Sequence, residues 1–432
     1  MKLKFLLLLL IPTLCLAQDK FSKIDSLLSY YERSNEWMGS VAISQDGKIA
    51  FEKAYGFADV DKKIRADKNT VYKIGSITKT FTAAITFQLI EEGKLDLNTK
   101  LSKFYPQIPN ADKISVAHLL GHRSGLFNYT NDSVIVSKFK EPITQKQMVD
   151  QITSYQSVFE PGTRSEYSNS NYYLLGLIIE NLTKKSYAKN LDDRIIKKLK
   201  LKRTAYREKP TTNQAFSYNN FGGKWSKEEP WNDSFAFAAG AISGTASDLT
   251  IFMKALFDGQ IINQESLAEM KKVEDGYGRG IFAIPFYDKK AYGHTGGIEQ
   301  FASMLSYFPN EKISLSMLSN AKGENNNDIA IGILSLMFDK PFEFPTLEKV
   351  AVDTKILKSY EGTYSSSTFP LKLTIVESNG QLTAQASGQP SFTLTTTSET
   401  EFLFRQANLK LVFSKDKITM SQFGNSYEFT RE

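Results

Sequence analysis

An α+β fold is predicted for most of this 432-residue chain, an antiparallel sheet packed by helices, with a small all-β domain appended at the C-terminal end. Two observations predict it: strand patterns at both ends of a long helical middle, and a change of texture past Pro341-Phe342-Glu343-Phe344-Pro345. At the front, apolar runs around Val41-Ala42-Ile43 and Ile49-Ala50-Phe51 flank Asp46-Gly47, a two-residue hairpin signal. Between the strand regions, Ser76 to Glu92 is apolar nearly all round (Phe81, Ala83, Ala84, Ile85, Phe87, Leu89, Ile90) and reads as a buried helix stopped at Gly93. A second helical run covers Tyr172 to Ile179. Further on, the alternating run Phe301 to Phe308 and the run Ile313 to Leu318 flank Pro309-Asn310, a second hairpin. From about residue 350 the chain alternates through Leu371, Leu373 and Ile375, turns at Asn379-Gly380, and continues through Leu382, Phe392, Leu394, Leu409, Leu411, Phe413, Tyr427 and Phe429.

Composition supports a globular protein of more than one domain, with 41% hydrophobic and 23% charged residues. Met1-Lys2-Leu3-Lys4, the apolar Phe5 to Leu10 and the small-residue end before Gln18 read as a secretory signal peptide over residues 1–17, cut after Ala17. The apolar run is too short for a membrane span. Its removal takes away Cys15, the one cysteine, so the mature chain needs no disulfide in a periplasmic or extracellular setting. Loss of Lys2 and Lys4 also lowers the formal charge from +6 to +4, too little to suggest a nucleic-acid partner. The basic run Lys197 to Arg203 fits a solvated helix end. The expected organisation is a leader at 1–17, a main domain at 18–345 and a β-barrel or β-sandwich at 350–432.

Three stretches carry chemistry. In Ser76-Ile77-Thr78-Lys79 the serine lies near the positive end of a helix dipole, and the lysine one turn later shares its face. A serine hydroxyl is a weak nucleophile until a base takes its proton; a desolvated, neutral lysine can do so, whereas a solvated one has no such role. Spacing alone is unspecific, because Ser-x-x-Lys recurs at Ser137, Ser186, Ser319 and Ser414; the buried helix singles out the first copy. The second stretch is Tyr167-Ser168-Asn169, placed between the Pro161-Gly162 turn and the helical run at Tyr172. Third is His294-Thr295-Gly296-Gly297, leading into the strand at Phe301, where glycines permit close approach to the backbone.

This ordered set resembles the penicillin-recognising serine hydrolases: class C β-lactamases, DD-peptidases, and the esterases and D-aminopeptidases built like them. The likeness extends from about Met38 to Phe338 and includes Gly39-Ser40-Val41-Ala42, Leu119 to Leu126 and Ala239 to Leu249. The resemblance implies Ser76 as the acylated nucleophile, Lys79 as its proton acceptor and Tyr167 as proton carrier to the leaving group. It implies that Asn169 orients Lys79 and the substrate amide, that His294 and Thr295 line the substrate's carboxylate side, and that Gly296 keeps that strand open. The oxyanion hole would be the backbone N–H groups of Ser76 and Gly297. No cofactor or metal is implied. The C-terminal region, opening with Tyr360-Glu361-Gly362-Thr363-Tyr364, resembles the lipocalin-like modules appended to such hydrolases.

The chain departs from the commoner Lys-Thr-Gly in having His-Thr-Gly. A histidine beside Lys79 is expected to be neutral at pH 7, so carboxylate recognition by a fixed positive charge is weakened and efficient β-lactam hydrolysis with it. Glu166 precedes Tyr167 on an extended segment and faces the other way, so it is not expected to act as a base. His118 and His122 have the spacing of two zinc ligands on a helix, but Leu119-Leu120-Gly121 lies between them instead of a catalytic glutamate, and shaping the helix end is the favoured role. No Gly-x-Ser-x-Gly elbow or phosphate-binding loop is present. The sequence therefore predicts an exported serine hydrolase for a small-molecule or peptide substrate, an ester or amide. DD-peptidase, D-aminopeptidase and β-lactamase remain open within the same chemistry, and a non-catalytic binding protein on the same fold is the alternative of another class.

Overall fold

The computed structural model describes residues 11–206, 213–221, 224–321, 326–345, 352–389, 391–404, 409–422 and 425–432, with side chains from Asp19 onward except Phe221. Residues 1–10 of the expected leader and position 350, where the β domain was expected to begin, lie outside the described residues. The chain forms two compact units, one of residues 38–220 and 225–322, the other of residues 1–37, 221–224 and 323–432. Among the described residues, no helix is long and apolar enough to cross a membrane.

The first unit is built on a six-stranded antiparallel sheet. Its strands are β1 (Gly39–Gln45), β2 (Lys48–Tyr55), β3 (Phe282–Phe286), β4 (Lys289–Ile298), β5 (Phe301–Phe308) and β6 (Ile313–Ser319), in the spatial order β3-β4-β5-β6-β1-β2. Both expected hairpins form. Asp46 and Gly47 take φ of 48° and 78°, the left-handed pair that a tight turn matched to strand twist requires. β1 and β6 are central and register Gly39 with Ser319, so the first and last strands of the unit are neighbours. β6 is buried at every residue, which explains its nearly unbroken run of apolar and small side chains.

The helical middle supplies the face on which the chemistry sits. A helix at Thr78–Glu91 is buried from Thr78 to Leu89, and Gly93 follows it at φ 68°. Its threonines are compatible with burial because each hydroxyl is bonded: Thr80 and Thr82 donate to the carbonyls of Gly280 and Ala238, Thr86 donates to that of Thr82, and Thr78 accepts from Ile242 N–H. Phe81 stacks on Phe252 of the helix Ala246–Phe257 at 3.7 Å between ring centroids. The second expected helix runs from Asn169 to Thr183, buried from Ser170 to Ile179.

In the other unit a nine-stranded antiparallel sheet fulfils the expected all-β domain. Its spatial order begins with Phe392–Thr393, Gln381–Ala386 and Leu373–Ser378, and ends with Leu409–Ser414, Glu401–Phe404 and Thr395–Thr396. The two outermost strands are separated in the chain by Leu394 alone, so the sheet curls almost into a closed barrel. The alternating residues Leu373, Ile375, Leu382, Leu411, Phe413 and Phe429 fill its interior. The turn at Asn379-Gly380 has φ of 53° and 78°, as its residue types demand. The same unit holds the helix Ile11–Arg33, which passes through the expected cleavage point at Ala17 and packs on the helix Asn326–Met337.

Candidate active site

Ser76 stands on a single 3₁₀ turn, Gly75–Ile77, that precedes the helix at Thr78. The sequence placed it in the helix's own first turn; the tighter turn arises because the chain leaves the short strand Tyr72–Lys73 through Gly75 at φ 50°. A side chain at residue 75 would put Cβ 2.8 Å from the nitrogen and 3.0 Å from the oxygen of Gly297, so glycine is needed there both for its φ and for the contact. The turn that carries Ser76 is thereby laid directly against β4.

Lys79 Nζ stands 3.0 Å from Ser76 Oγ, 2.7 Å from Asn169 Oδ1 and 2.7 Å from the carbonyl oxygen of Ala239. None of these partners carries a charge. Burial therefore drives the lysine's pKa well below its ordinary value of 10.5. A neutral amine has two N–H groups and one lone pair. The two carbonyl-type oxygens accept the N–H groups, and the lone pair is left for the Ser76 hydroxyl proton.

Tyr167 donates its hydroxyl to Ser76 Oγ at 2.8 Å, and burial raises its pKa above 10, so it stays a proton donor at neutral pH. Lys79 Nζ lies 4.9 Å from the centre of the Tyr167 ring. Asn169, first residue of its helix, has its amide fixed on both sides: Oδ1 accepts from Lys79, and Nδ2 donates to Thr130 Oγ1 at 2.9 Å, which itself donates to Asn128 Oδ1.

β4 carries the remaining predicted residues. His294 is 2% exposed, and its Nδ1 lies 2.5 Å from the carbonyl of Thr295, which can only accept; the imidazole is therefore the Nδ1–H tautomer. Burial, with Lys79 adding to it whenever that lysine is charged, pushes its pKa down to about 3, which favours the neutral ring at pH 7. Its ring lies 4.3 Å from that of Phe282 and 6.4 Å from that of Tyr167. Thr295 and Gly297 are exposed along the strand. Gly296, expected to keep the strand open, also has a packing reason to be glycine: a Cβ there would fall 2.1 Å from Ile74 O and 2.3 Å from Ser303 Oγ, so its bare Cα admits the strand to the turn that carries Ser76.

Several functional groups escaped the sequence reading. The Ala239 carbonyl reaches Lys79 because the helix Asp233–Gly240 is broken at Phe237, whose φ of 40° and ψ of −132° are strained for a residue with a side chain. Lys73 is a second omission. It donates to Trp231 O at 3.0 Å and Glu299 Oε1 at 2.8 Å and pairs with Asp233 Oδ1 at 3.1 Å. Burial alone would lower the pKa of this lysine, but Glu299 and Asp233 outweigh it and hold it above the ordinary value. This triad ties together the end of β4, the strand before Ser76 and the helix that ends at Gly240. It also forms part of the wall of a cavity of about 610 Å³, with Trp231, Phe216 and Phe301. Lys73→Met would leave two enclosed carboxylates without their cation and is expected to destabilise the fold by about 3–5 kcal/mol. Urea unfolding measures it; a loss below about 1 kcal/mol would mean that the carboxylates find other partners.

The two histidines four residues apart do not converge. His118 Nδ1 takes part in a capping box with Ser115, while the helix ends at Leu120 and His122 turns away at φ 57°. Among the described residues, no group of three or more His, Cys, Asp or Glu is placed to hold a metal ion. Glu166 pairs with Arg164 at 2.9 Å, about half exposed, as its position before Tyr167 led one to expect.

The family model described as Beta-lactamase matches residues 38–335. Teichoic acid D-alanine hydrolase of Staphylococcus aureus (strain NCTC 8325 / PS 47) is 31% identical over 323 residues, covering 72% of this chain and 76% of that protein. Protein flp of Staphylococcus aureus (strain MW2) is 27% identical over 327 residues; 72% of this chain is covered, and the match spans only 65% of that relative's length. Among solved structures, D-amino acid amidase from Ochrobactrum anthropi SV3, complexed with L-phenylalanine amide, superposes with a TM-score of 0.67 at 26% identity, over 74% of this chain and 99% of the amidase.

Proposed function

The chain belongs to the beta-lactamase family, and from that premise we propose that it is an exported serine hydrolase forming an acyl-enzyme at Ser76, with D-aminoacyl esters or amides as its substrates. The observation that carries the proposal is the position of Ser76 Oγ, 3.0 Å from a desolvated Lys79 amine and 2.8 Å from the Tyr167 hydroxyl. One group can take the serine proton while the other can give one.

In acylation the Ser76 proton passes to Lys79 as Oγ attacks the substrate carbonyl carbon. The negative charge then falls on the carbonyl oxygen, for which the N–H groups of Ser76 and Gly297 are the proposed donors. Tyr167, a phenol at neutral pH, protonates the departing oxygen or nitrogen and is recharged by the proton held on Lys79. Deacylation repeats the steps in reverse with water in place of the leaving group. Asn169 keeps Lys79 aimed at Ser76. The names of the hydrolase and the amidase above favour D-amino acid acyl groups. Export is supported by the leader pattern of residues 1–17.

A fluorophosphonate probe tests the nucleophile: one adduct per chain, mapped to Ser76, is expected, and an adduct on another residue would overturn the assignment. Turnover of D-alanyl esters, D-amino acid amides, D-Ala-D-Ala peptides and nitrocefin then sorts the substrates. Because His294 is neutral and buried, carboxylate-bearing nitrocefin is expected to react more slowly than a neutral ester. His294→Lys should raise the ratio of kcat/KM for nitrocefin to that for the ester. A wild-type ratio strongly favouring nitrocefin and unmoved by the substitution would make the protein a β-lactamase that reads the carboxylate elsewhere.

A further inference from the structure

His122 has no part in the proton transfers above, yet it holds the chain on both sides of Tyr167. Its backbone carbonyl accepts the Glu166 N–H at 2.8 Å. Its ring Nδ1 accepts the Ser168 N–H at 3.1 Å. Between those two bonds, the imidazole lies against the Tyr167 ring at 4.4 Å between centroids and 28° between planes. The ring's own orientation is fixed as well. Ser124 Oγ donates to Asn171 Oδ1 at 2.5 Å, which turns the Asn171 Nδ2 toward His122 Nδ1 at 3.3 Å. Two donors thus face Nδ1, so the proton of the neutral ring is on Nε2. The backbone at His122 takes φ 57°, a conformation side-chain-bearing residues seldom adopt, which brings the carbonyl and the ring to bear on one tripeptide.

We propose that His122 is the positioning residue for Tyr167, setting the phenol on Ser76 Oγ and so governing proton delivery to the leaving group. The proposal rests on the reading of Ser76 as nucleophile and Tyr167 as acid. A proton on Nδ1 would displace the Ser168 N–H and set a cation among Tyr167, Tyr172, Tyr277, His294 and Lys79. Burial first, then Lys79 and His294, hold the ring's pKa well below 6.5, so the cradle stays intact at neutral pH.

The test uses the whole chain and two substrates with the same acyl group, an alkyl amide whose leaving group needs a proton and a p-nitrophenyl ester whose leaving group does not. His122→Asn keeps a side-chain acceptor near the Nδ1 position and tolerates the left-handed backbone, but removes the ring beneath Tyr167. Since misplacement by about 1 Å can cost about 10²-fold, kcat/KM for the amide should fall by about that factor and for the ester by less than about tenfold. In a Tyr167→Phe background the same substitution should produce no further selective loss. His122→Phe, which keeps a ring but cannot accept the Ser168 N–H, should show the same selectivity and serves if His122→Asn fails to fold. Equal losses on both substrates, or a full additional loss in the Tyr167→Phe background, would overturn the proposal in favour of a structural role. Fluorophosphonate labelling of Ser76 in each variant keeps this outcome separate from failure of the nucleophile assignment.

Discussion

Ser76→Ala is expected to lower kcat by on the order of 10⁶-fold, the scale seen when a serine nucleophile is removed from a working set of groups. The loss should fall on chemistry and not on folding. Alanine fits the 3₁₀ turn, and Lys79 keeps its bonds to Asn169 and Ala239, so the urea midpoint should barely move. Substrate binding should survive too, because Thr295 and Gly297 are untouched. Mass spectrometry after fluorophosphonate treatment gives the clearest reading: the wild type gains one adduct and the variant gains none. Labelling of the variant at undiminished stoichiometry would remove Ser76 from the mechanism.

Lys79→Met should slow acylation by about 10²–10⁴-fold, the usual contribution of a positioned base. It should also change the pH profile. The lysine acts uncharged, and burial holds its pKa below 10.5. As pH falls through that lowered value the ammonium takes over and the rate drops, so the wild type has an acid limb and a plateau above it. Burial pushes the neighbouring His294 and His122 down and Tyr167 up, so the variant decides which group carries the limb. In Lys79→Met the limb should vanish. A variant that keeps it would show that another group takes the proton.

The groups of the candidate site were legible in the sequence because each sits in a stretch with its own local signature, Ser76 and Lys79 on a buried helix, Tyr167 and Asn169 before a second one, His294 on a glycine-rich strand. Strand and helix positions were legible for a related reason, since hairpin turns such as Asp46-Gly47 and stops such as Gly93 are chemical requirements of the backbone. What escaped is what has no side-chain signature or is assembled from distant residues. The Ala239 carbonyl is an ordinary peptide oxygen, aimed by strain at Phe237. His122 looked like half of a metal pair because spacing along the chain was visible and its φ of 57° was not. The role of Gly296 depends on Ile74 and Ser303, which no local pattern connects to it.

The pairing of β1 with β6 has a consequence for the order in which the molecule comes into being. Ser319 Oγ donates to Met38 O across 281 positions of sequence, and Lys73 reaches Glu299 across 226. Contacts this remote in sequence form slowly, because closing the intervening loop costs entropy before any contact repays it. A chain released from the ribosome short of residue 297 already contains Ser76, Lys79 and Tyr167, but not the strand against which Gly75 packs. If Ser76 is the nucleophile proposed above, a chain that lacks this strand also lacks the proposed Gly297 oxyanion donor, so full reactivity toward esters and amides is expected only once the last strands of the first unit are in place.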